Sequence, residues 1–146
     1  MLKINEIYAS IQGESSHTGL PCVFIRLTGC NLRCSWCDTA YAFYEGNDLT
    51  IEETLQKVET FGLGLVEITG GEPLLQEDVY PLMEALLKKG YRVMLETGGA
   101  LPIDKVPEKV IKILDVKCPG SGEEKKNHLE NLKLLSPHDE VKFVLL

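Results

Sequence analysis

Residues 22–41 read CVFIRLTGCNLRCSWCDTAY, a mostly apolar run that leads directly into a loop rich in cysteine. The alternation of side chains in 22–29 predicts a β-strand with one apolar face. Three cysteines follow within eight residues, in a C-x3-C-x2-C spacing: Cys30, Cys34 and Cys37. Thiolates are soft ligands that select zinc, copper(I) or iron–sulfur clusters. Because one loop offers three such ligands and not four, the spacing favours a cluster that keeps one iron open for another ligand.

The main alternative for this loop is a structural zinc site with Cys22 or His17 as the fourth ligand. Structural zinc takes four protein ligands, usually as two C-x2–4-C pairs, whereas this loop contains one C-x2-C pair. Cys22 lies within the predicted strand, where a small buried thiol is ordinary. Cys118 is expected to be a structural thiol, and three histidines are expected on the surface: His17, His128 and His138.

Composition and charge narrow the class of protein. The chain has 146 residues, which suits one domain, and its 44% apolar and 25% charged residues are typical of a globular protein. A net charge of -7 with no basic block argues against a nucleic-acid or membrane surface. Residues 1–10 lack the apolar core of a signal peptide. Five cysteines, an odd number with three close together, indicate metal ligands in a reducing compartment, so we predict a cytoplasmic protein.

Strands alternate with helices along the chain, which predicts an α/β fold with a parallel sheet and right-handed crossovers. The apolar runs predict five strands, at 22–29, 63–71, 91–97, 111–117 and 141–146. Helical patterns predict one helix that begins at the capping box of Thr50 and Glu53, and two more at 77–89 and 123–135. Residues 4–12 are expected to form a short strand or an extended arm.

Each predicted strand carries charge, although parallel strands covered by helices are normally apolar on both faces. The charged residues are Arg26, Glu67, Glu96, Asp115, Lys117 and Lys142. Since a buried unpaired charge costs several kcal/mol, these groups must meet partners or a polar ligand. Most lie near the carboxyl ends of the strands, where sheets and barrels of this class bind ligands. A structural ion-pair network remains the alternative, above all for Glu67 and Lys142.

A glycine-rich segment, TGGEP at 69–73, follows the second predicted strand. Two glycines let the backbone approach a ligand closely and expose its amides and carbonyls. By itself the segment is equally typical of a tight turn between a strand and a helix. Next to the cysteine loop, it favours a ligand-binding role.

The cysteine spacing, with Trp36 before the last cysteine and GGEP at 70–73, resembles the radical S-adenosylmethionine (SAM) superfamily. More narrowly, four segments resemble its 7-carboxy-7-deazaguanine synthase family: SIQGE (10–14), FIRLTGCNLRCSWCDTAY (24–41), EITGGEPLLQ (67–76) and LETGG (95–99). The usual QGEG of that family reads QGES here, where Ser15 is the difference.

The resemblance implies a partial (β/α) barrel of the radical SAM type with six parallel strands, of which we count five. The last of these is the apolar segment VKFVLL at 141–146, with no helix after it. We therefore expect a single core domain over 1–146, with an N-terminal arm at 1–20, the sixth strand absent and a truncated C-terminus. The alternative is that a partner or a neighbouring molecule covers the exposed edge of the last strand.

The resemblance also implies ligands and the residues that contact them. A 4Fe–4S cluster would be held by Cys30, Cys34 and Cys37, and magnesium by Thr39, although a hydroxyl there could equally cap a helix. SAM would be contacted by Trp36, Cys37, Asp38, Gly70, Gly71, Glu72, Asp115, Val116 and Lys117. The substrate would be contacted by Ile11, Gln12, Gly13, Glu14, Arg26 and Thr69, and Glu96 would face the reacting centre as the catalytic residue.

The implied reaction converts 6-carboxy-5,6,7,8-tetrahydropterin to 7-carboxy-7-deazaguanine, with ring contraction and loss of ammonia, in queuosine biosynthesis. A flavodoxin-type electron donor and a homodimer are also implied. Arg26 supports a carboxylated substrate independently of the resemblance, because it is a cation on a strand that should be buried. Its guanidinium can bind a carboxylate through two charge-assisted hydrogen bonds. Two alternatives stay open: a radical SAM activase of a glycyl radical enzyme, and a zinc-stabilised binding module.

Overall fold

Seven strands form one sheet in the computed structural model, which describes residues 1–145. They are β1 (Leu2–Ile11), β2 (Pro21–Leu27), β3 (Asn47–Leu49), β4 (Leu65–Gly70), β5 (Arg92–Thr97), β6 (Ile111–Asp115) and β7 (Glu140–Lys142). Their order across the sheet is β3-β1-β2-β4-β5-β6-β7. The five strands from β2 to β7 in this order pair in parallel, which confirms the predicted fold class.

The edge of the sheet formed by β3 and β1 is antiparallel, unlike the expected parallel strands. Ile7 lies opposite Ile25 and Glu6 opposite Arg26 in the pairing of β1 with β2. A short connection suffices for antiparallel neighbours, whereas a parallel pair needs a long crossover. The expected arm is therefore a full strand of the sheet followed by a loop at 12–20.

Two α-helices cover one face of the sheet: α1 (Ile51–Glu59) and α2 (Val79–Lys88). The predicted capping box is present, because the Glu53 amide donates to Thr50 Oγ1 (3.1 Å) and the Thr50 amide donates to Glu53 Oε2 (2.8 Å). Leucine, isoleucine and valine side chains fill the core between helices and sheet. Within residues 1–145, we find no helix with the length and apolarity needed to cross a bilayer.

The helix predicted at 123–135 is wrong, since this segment forms two short 3-10 turns, Glu124–Lys126 and Leu129–Leu134. Asn131 explains the difference, because its side chain is fully buried and binds the backbone of a neighbouring loop. Its Oδ1 accepts from the Ile103 amide (3.1 Å), and its Nδ2 donates to the Leu101 carbonyl (2.8 Å). These tertiary bonds fix the segment in place of helical ones.

The last predicted strand, 141–146, is shorter than expected. Strand β7 covers Glu140–Lys142, residues 143–145 follow without strand structure, and Leu146 lies outside the described residues. The loop at 12–20 contacts this strand, because the Ser16 amide donates to Glu140 Oε1 (3.2 Å) and Lys142 Nζ donates to Glu14 Oε2 (2.7 Å). The sheet thus curls until the loop after β1 reaches β7, as a partial barrel requires.

Candidate active site

A cavity of about 440 Å³ lies at the carboxyl ends of the parallel strands. It brings together all six charged residues that the strand pattern singled out. Of the residues implied by the resemblance, it is lined by Glu14, Arg26, Cys30, Cys34, Trp36, Cys37, Asp38, Thr39, Thr69, Gly70, Gly71, Glu96, Asp115 and Lys117. Residues from the two ends of the chain therefore meet in one site.

Five of the implied residues do not line this cavity: Ile11, Gln12, Gly13, Glu72 and Val116. Ile11 is exposed, Gln12 is buried below the cavity, and Glu72 is buried behind the glycine segment. Val116 donates its amide to the Lys142 carbonyl (2.9 Å) and so belongs to the join between two strands. Their roles in ligand binding stay predictions.

The cysteine loop is anchored to a segment that sequence reasoning did not connect with it. The Arg33 amide donates to Glu123 Oε1 (2.8 Å), and the Ser35 amide donates to the Ser121 carbonyl (3.0 Å). The buried side chain of Leu32 fixes the loop from below. No feature of the sequence links residues about 90 positions apart, so only the fold reveals these anchors.

All three loop cysteines are free thiols that face the cavity: Cys30, Cys34 and Cys37. Burial raises the pKa of the Cys30 thiol and of the Cys34 thiol, although Lys117 acts in the opposite direction on Cys34. Because thiolates are the form that binds a metal, Cys30 and Cys34 would release their protons on binding a cationic metal centre.

The three thiols line one cavity. Among residues 1–145, no three cysteine, histidine or carboxylate side chains lie close enough to hold one metal ion. A cluster offers a different iron to each thiolate, so its ligands need not meet at one atom. The donor set therefore fits an iron–sulfur cluster.

The two suggested fourth zinc ligands lie away from the loop. Cys22 is fully buried on β2, and burial raises the pKa of its thiol to about 12. His17 is buried, not on the surface as predicted, and its Nε2 lies 2.9 Å from Arg92 Nη2. The loop at 12–20 packs this ring against Arg92 of β5, a contact between distant segments that the pattern of apolar residues could not reveal. Neither residue lines the cavity.

The glycine segment packs directly against the cysteine loop. The Glu72 amide donates to the Gly29 carbonyl (2.7 Å), and the Gly71 amide donates to the Leu27 carbonyl (3.2 Å). A Cβ on Gly71 would clash with the Gly29 carbonyl and lie 2.9 Å from the Cβ of Cys30. Glycine is thus required here because two backbones touch.

Glu72 ties the glycine segment to the neighbouring strand. Its carboxylate accepts from the Leu74 amide (3.0 Å), from Thr97 Oγ1 (2.9 Å) and from the Gly98 amide (2.8 Å). Burial nevertheless raises the pKa of this carboxyl. Its side chain therefore supports the site from behind and contributes no group to the cavity wall.

Arg26 is held by residues of β1 that the sequence did not mark as functional. Its Nε donates to Glu6 Oε1 (2.7 Å) and its Nη2 donates to Tyr8 Oη (3.1 Å). Tyr41 Oη also donates to Glu6 Oε1 (3.2 Å). The antiparallel register that places Glu6 opposite Arg26 was the missing signal. Because a guanidinium has five N–H donors, the fixed side chain keeps others for a ligand.

A chain of polar contacts crosses the cavity floor. Lys142 Nζ donates to Glu14 Oε2 (2.7 Å) and to Glu96 Oε1, and Gln12 Nε2 donates to Glu67 Oε2. Although burial opposes its charge, Glu96 and then Glu14 raise the pKa of Lys142 above its ordinary value. Burial, followed by the proximity of Glu96, raises the pKa of Glu67 to about 8.

Three buried polar atoms in or beside the cysteine loop have no hydrogen-bond partner among the described residues: Asn31 Oδ1, Trp36 Nε1 and Asp115 Oδ1, of which the last two belong to residues that line the cavity. The other oxygen of Asp115 accepts from Lys117 Nζ (2.7 Å), and that ammonium lies 4.8 Å from the Trp36 ring centre. Buried donors and acceptors normally find partners. This corner of the cavity therefore fits a ligand that carries hydrogen-bonding groups.

Thr39 lines the cavity, and its Oγ1 lies 3.8 Å from Cys37 Sγ. It precedes the 3-10 helix Ala40–Phe43, but its side chain makes no capping hydrogen bond. Apart from its contact with the Cys37 sulfur, the hydroxyl makes no hydrogen bond to the described residues, so it could also serve as a ligand to a hard cation.

The sequence matches the radical SAM superfamily over residues 24–119. The chain is similar to 7-carboxy-7-deazaguanine synthase from Koribacter versatilis, with 55% identity over 99% of this chain and 65% of that protein. It is similar to the enzyme of the same name from Chlorobaculum tepidum, with 48% identity over 91% of this chain and 60% of that protein. It is also similar to the enzyme of that name from Thermoplasma acidophilum, with 38% identity over 97% of this chain and 69% of that protein.

The fold is also similar to a solved structure, that of QueE from Escherichia coli, with a TM-score of 0.74. The match covers 98% of this chain and 84% of that one at 22% identity, so it bears on the fold alone. The chain spans about two thirds of the length of the curated relatives named above. Motifs, cavity and relatives agree, and the chain belongs to the radical SAM superfamily and, within it, to the 7-carboxy-7-deazaguanine synthase family.

Proposed function

We propose that this chain forms the radical SAM core, a single domain over 1–146, of an enzyme that converts 6-carboxy-5,6,7,8-tetrahydropterin to 7-carboxy-7-deazaguanine. One observation carries the proposal: the half-buried cation of Arg26 shares a cavity with three free thiols. A cluster site needs the thiols, but a carboxylated substrate also needs a fixed cation. The names of the relatives give the product, the family resemblance implies the carboxypterin as substrate, and the fixed cation in the cavity supports this assignment.

Members of this superfamily use a 4Fe–4S cluster and SAM, and we assign the cluster to Cys30, Cys34 and Cys37. When bound, cluster and SAM would supply the radical that takes a hydrogen atom from the substrate. The protein would supply position, charge and exclusion of water. Gly70 and Gly71 would offer their backbone to SAM, since side chains there are excluded by neighbouring backbone.

The adenosine part of SAM would occupy the corner beside Trp36. Asp115 Oδ1 and Trp36 Nε1 would then gain the partners that they lack within residues 1–145. Lys117 keeps the Asp115 carboxylate in place through its own hydrogen bond, and Asp38 lines the same wall.

The substrate would lie against β2, β4 and β5. Arg26 would bind its carboxylate, because Glu6 and Tyr8 fix the guanidinium while leaving N–H donors unused. Glu14 and Thr69 line the same part of the cavity. Glu96 would face the reacting carbon, and Thr39 would provide one oxygen ligand to magnesium, which keeps several ligands from water or substrate.

Three further assignments complete the proposal. A flavodoxin-type protein would deliver the electron, and two copies of the chain would form a homodimer. Five free cysteines favour a reducing compartment, so the enzyme would work in the cytoplasm.

The test is anaerobic incubation of the reconstituted chain with SAM, a reductant and the carboxypterin, with the product identified by mass. We expect 7-carboxy-7-deazaguanine and roughly four irons per chain. Colourless protein with one zinc would favour a zinc-stabilised module instead. Cleavage of SAM without product, together with activation of a glycyl radical enzyme, would favour an activase.

A further inference from the structure

Glu67 is a buried carboxyl group in the cavity wall for which the proposed reaction has no use. It lies on β4, and only 4% of its surface is exposed. Gln12 Nε2 donates to its Oε2 from the loop below. On its other side it faces Glu96 on the neighbouring strand β5: Glu67 lies opposite Met94, and Glu96, two residues further along β5, lines the same cavity.

A buried carboxyl group that faces a second carboxyl group on the neighbouring strand needs a proton of its own, because burial and a nearby negative charge both oppose its ionisation. The nearby cation does not remove this need. Lys142 donates to Glu96 and to Glu14, so its single charge is already opposed by two carboxylates. Glu67 would be a third negative charge in the same network.

The other neighbours of Glu67 bring no positive charge. Cys22 on β2 is close enough to interact with it, but burial keeps that thiol neutral. Met94 lies opposite Glu67 on β5, and Gln12 is an uncharged amide. Among residues 1–145, the structure records no ion pair to Glu67 (the Lys142 charge acts on it only at a distance).

We propose that Glu67 stays protonated at neutral pH and donates a hydrogen bond to Glu96, and so acts as a positioning residue for that carboxylate. The proton satisfies every group in contact: the Glu67 hydroxyl donates to Glu96, and its other oxygen accepts from Gln12. Glu96 is then fixed from one side by a neutral donor and from the other by Lys142. The positioning role rests on the proposed function of Glu96, whereas the protonation does not.

The protonation has a direct test in the chain without cofactors. Infrared spectra of protein labelled with 13C-carboxyl glutamate should show a protonated carboxyl band at pH 7 that Glu67→Gln removes. Since burial and Glu96 raise the pKa of Glu67 to about 8, the band should decline as the pH passes through that value. Glu77→Gln, a change at an exposed carboxylate, is the matched control and should leave the band unchanged. A spectrum at pH 7 in which Glu67→Gln removes only an ionised carboxylate would overturn the proposal.

The positioning role is tested by the dependence of turnover on pH. Glutamine keeps both hydrogen bonds but cannot ionise, so Glu67→Gln should retain turnover at pH 7 and lose a decline that wild type shows above about pH 8. Glu67→Leu loses both bonds, and its kcat should fall about tenfold or more while SAM affinity is unchanged. Equal pH profiles for wild type and Glu67→Gln would refute the role. If wild type itself gives no product, the proposed function fails, and the infrared band alone then decides the protonation.

Discussion

Replacement of Gly71 by alanine tests whether the glycine segment and the cysteine loop act as one unit. The new Cβ would clash with the Gly29 carbonyl oxygen, lie 2.6 Å from its carbonyl carbon, and lie 2.9 Å from the Cβ of Cys30. All three atoms belong to the backbone or to its first side-chain carbon, so no rotamer change can relieve the contact.

The size of the effect follows from these distances. Non-bonded carbon atoms rest about 3.5–4.0 Å apart, so the two segments must separate by about 1 Å. Overpacking of this kind typically costs about 1–3 kcal/mol of folding free energy. A misplacement of about 1 Å can also lower turnover about 100-fold. We therefore expect Gly71→Ala to fold with reduced stability and to lose nearly all product formation.

The assay compares iron content, SAM binding and product formation after anaerobic reconstitution, with unfolding in urea as the measure of stability. Gly64→Ala is the matched control, because a Cβ on Gly64 meets no atom within 4 Å. That variant should resemble wild type in all four measurements. If Gly71→Ala reconstitutes and turns over like Gly64→Ala, the contact between the two segments is not part of the site.

Four further predictions follow from the same structure. Cys34→Ala should lose the cluster, measured as iron content and visible absorbance, whereas Cys118→Ala should retain it. Arg26→Ala should weaken binding of the carboxypterin much more than binding of SAM in calorimetric titrations, and equal losses would place Arg26 elsewhere. The free energy of unfolding should fall with rising pH between 4.5 and about 8, because the unfolded chain releases the Glu67 proton near the lower value and the folded chain near the higher one. At about 1.4 kcal/mol per pH unit this contribution is on the order of a few kcal/mol, and urea titrations of Glu67→Gln should lack this pH dependence. Asn131→Ala should lower the free energy of unfolding, measured in urea, by about 2–4 kcal/mol, since it leaves buried backbone groups of Ile103 and Leu101 without partners. A smaller loss would contradict the stabilising role of these hydrogen bonds.

The five parallel strands could be predicted from sequence because their apolar runs are strong and local, whereas the short edge strand β3 (Asn47–Leu49) has no such run and was not predicted. The charges within them were expected to meet partners or a ligand, since a buried strand does not keep a charge without one. All six of these residues line one cavity. Such an argument works whenever a polar group stands where periodicity demands an apolar one.

The support of the site could not be predicted in this way, because it depends on contacts between distant segments. Glu6 holds Arg26 only because β1 runs antiparallel to β2. Glu123 holds the cysteine loop from a segment that was expected to be helical. Asn131 overrides the helical pattern around it through three backbone groups of another loop. Each case is a tertiary hydrogen bond that outweighs local preference.

The segment SIQGE illustrates why resemblance and structure give different information about the same residues. Of its residues, Glu14 lines the cavity, whereas Gln12 lies beneath it and binds Glu67. Glu14 also pairs with Lys142 on β7, so the loop that follows β1 is connected to the last strand of the chain. The ion pair of Glu14 and Lys142 therefore balances charge in the cavity and also connects the loop after β1 to the edge strand β7. A substitution in this segment should disturb substrate binding through the position of Glu67 and Lys142 even where it touches no substrate atom.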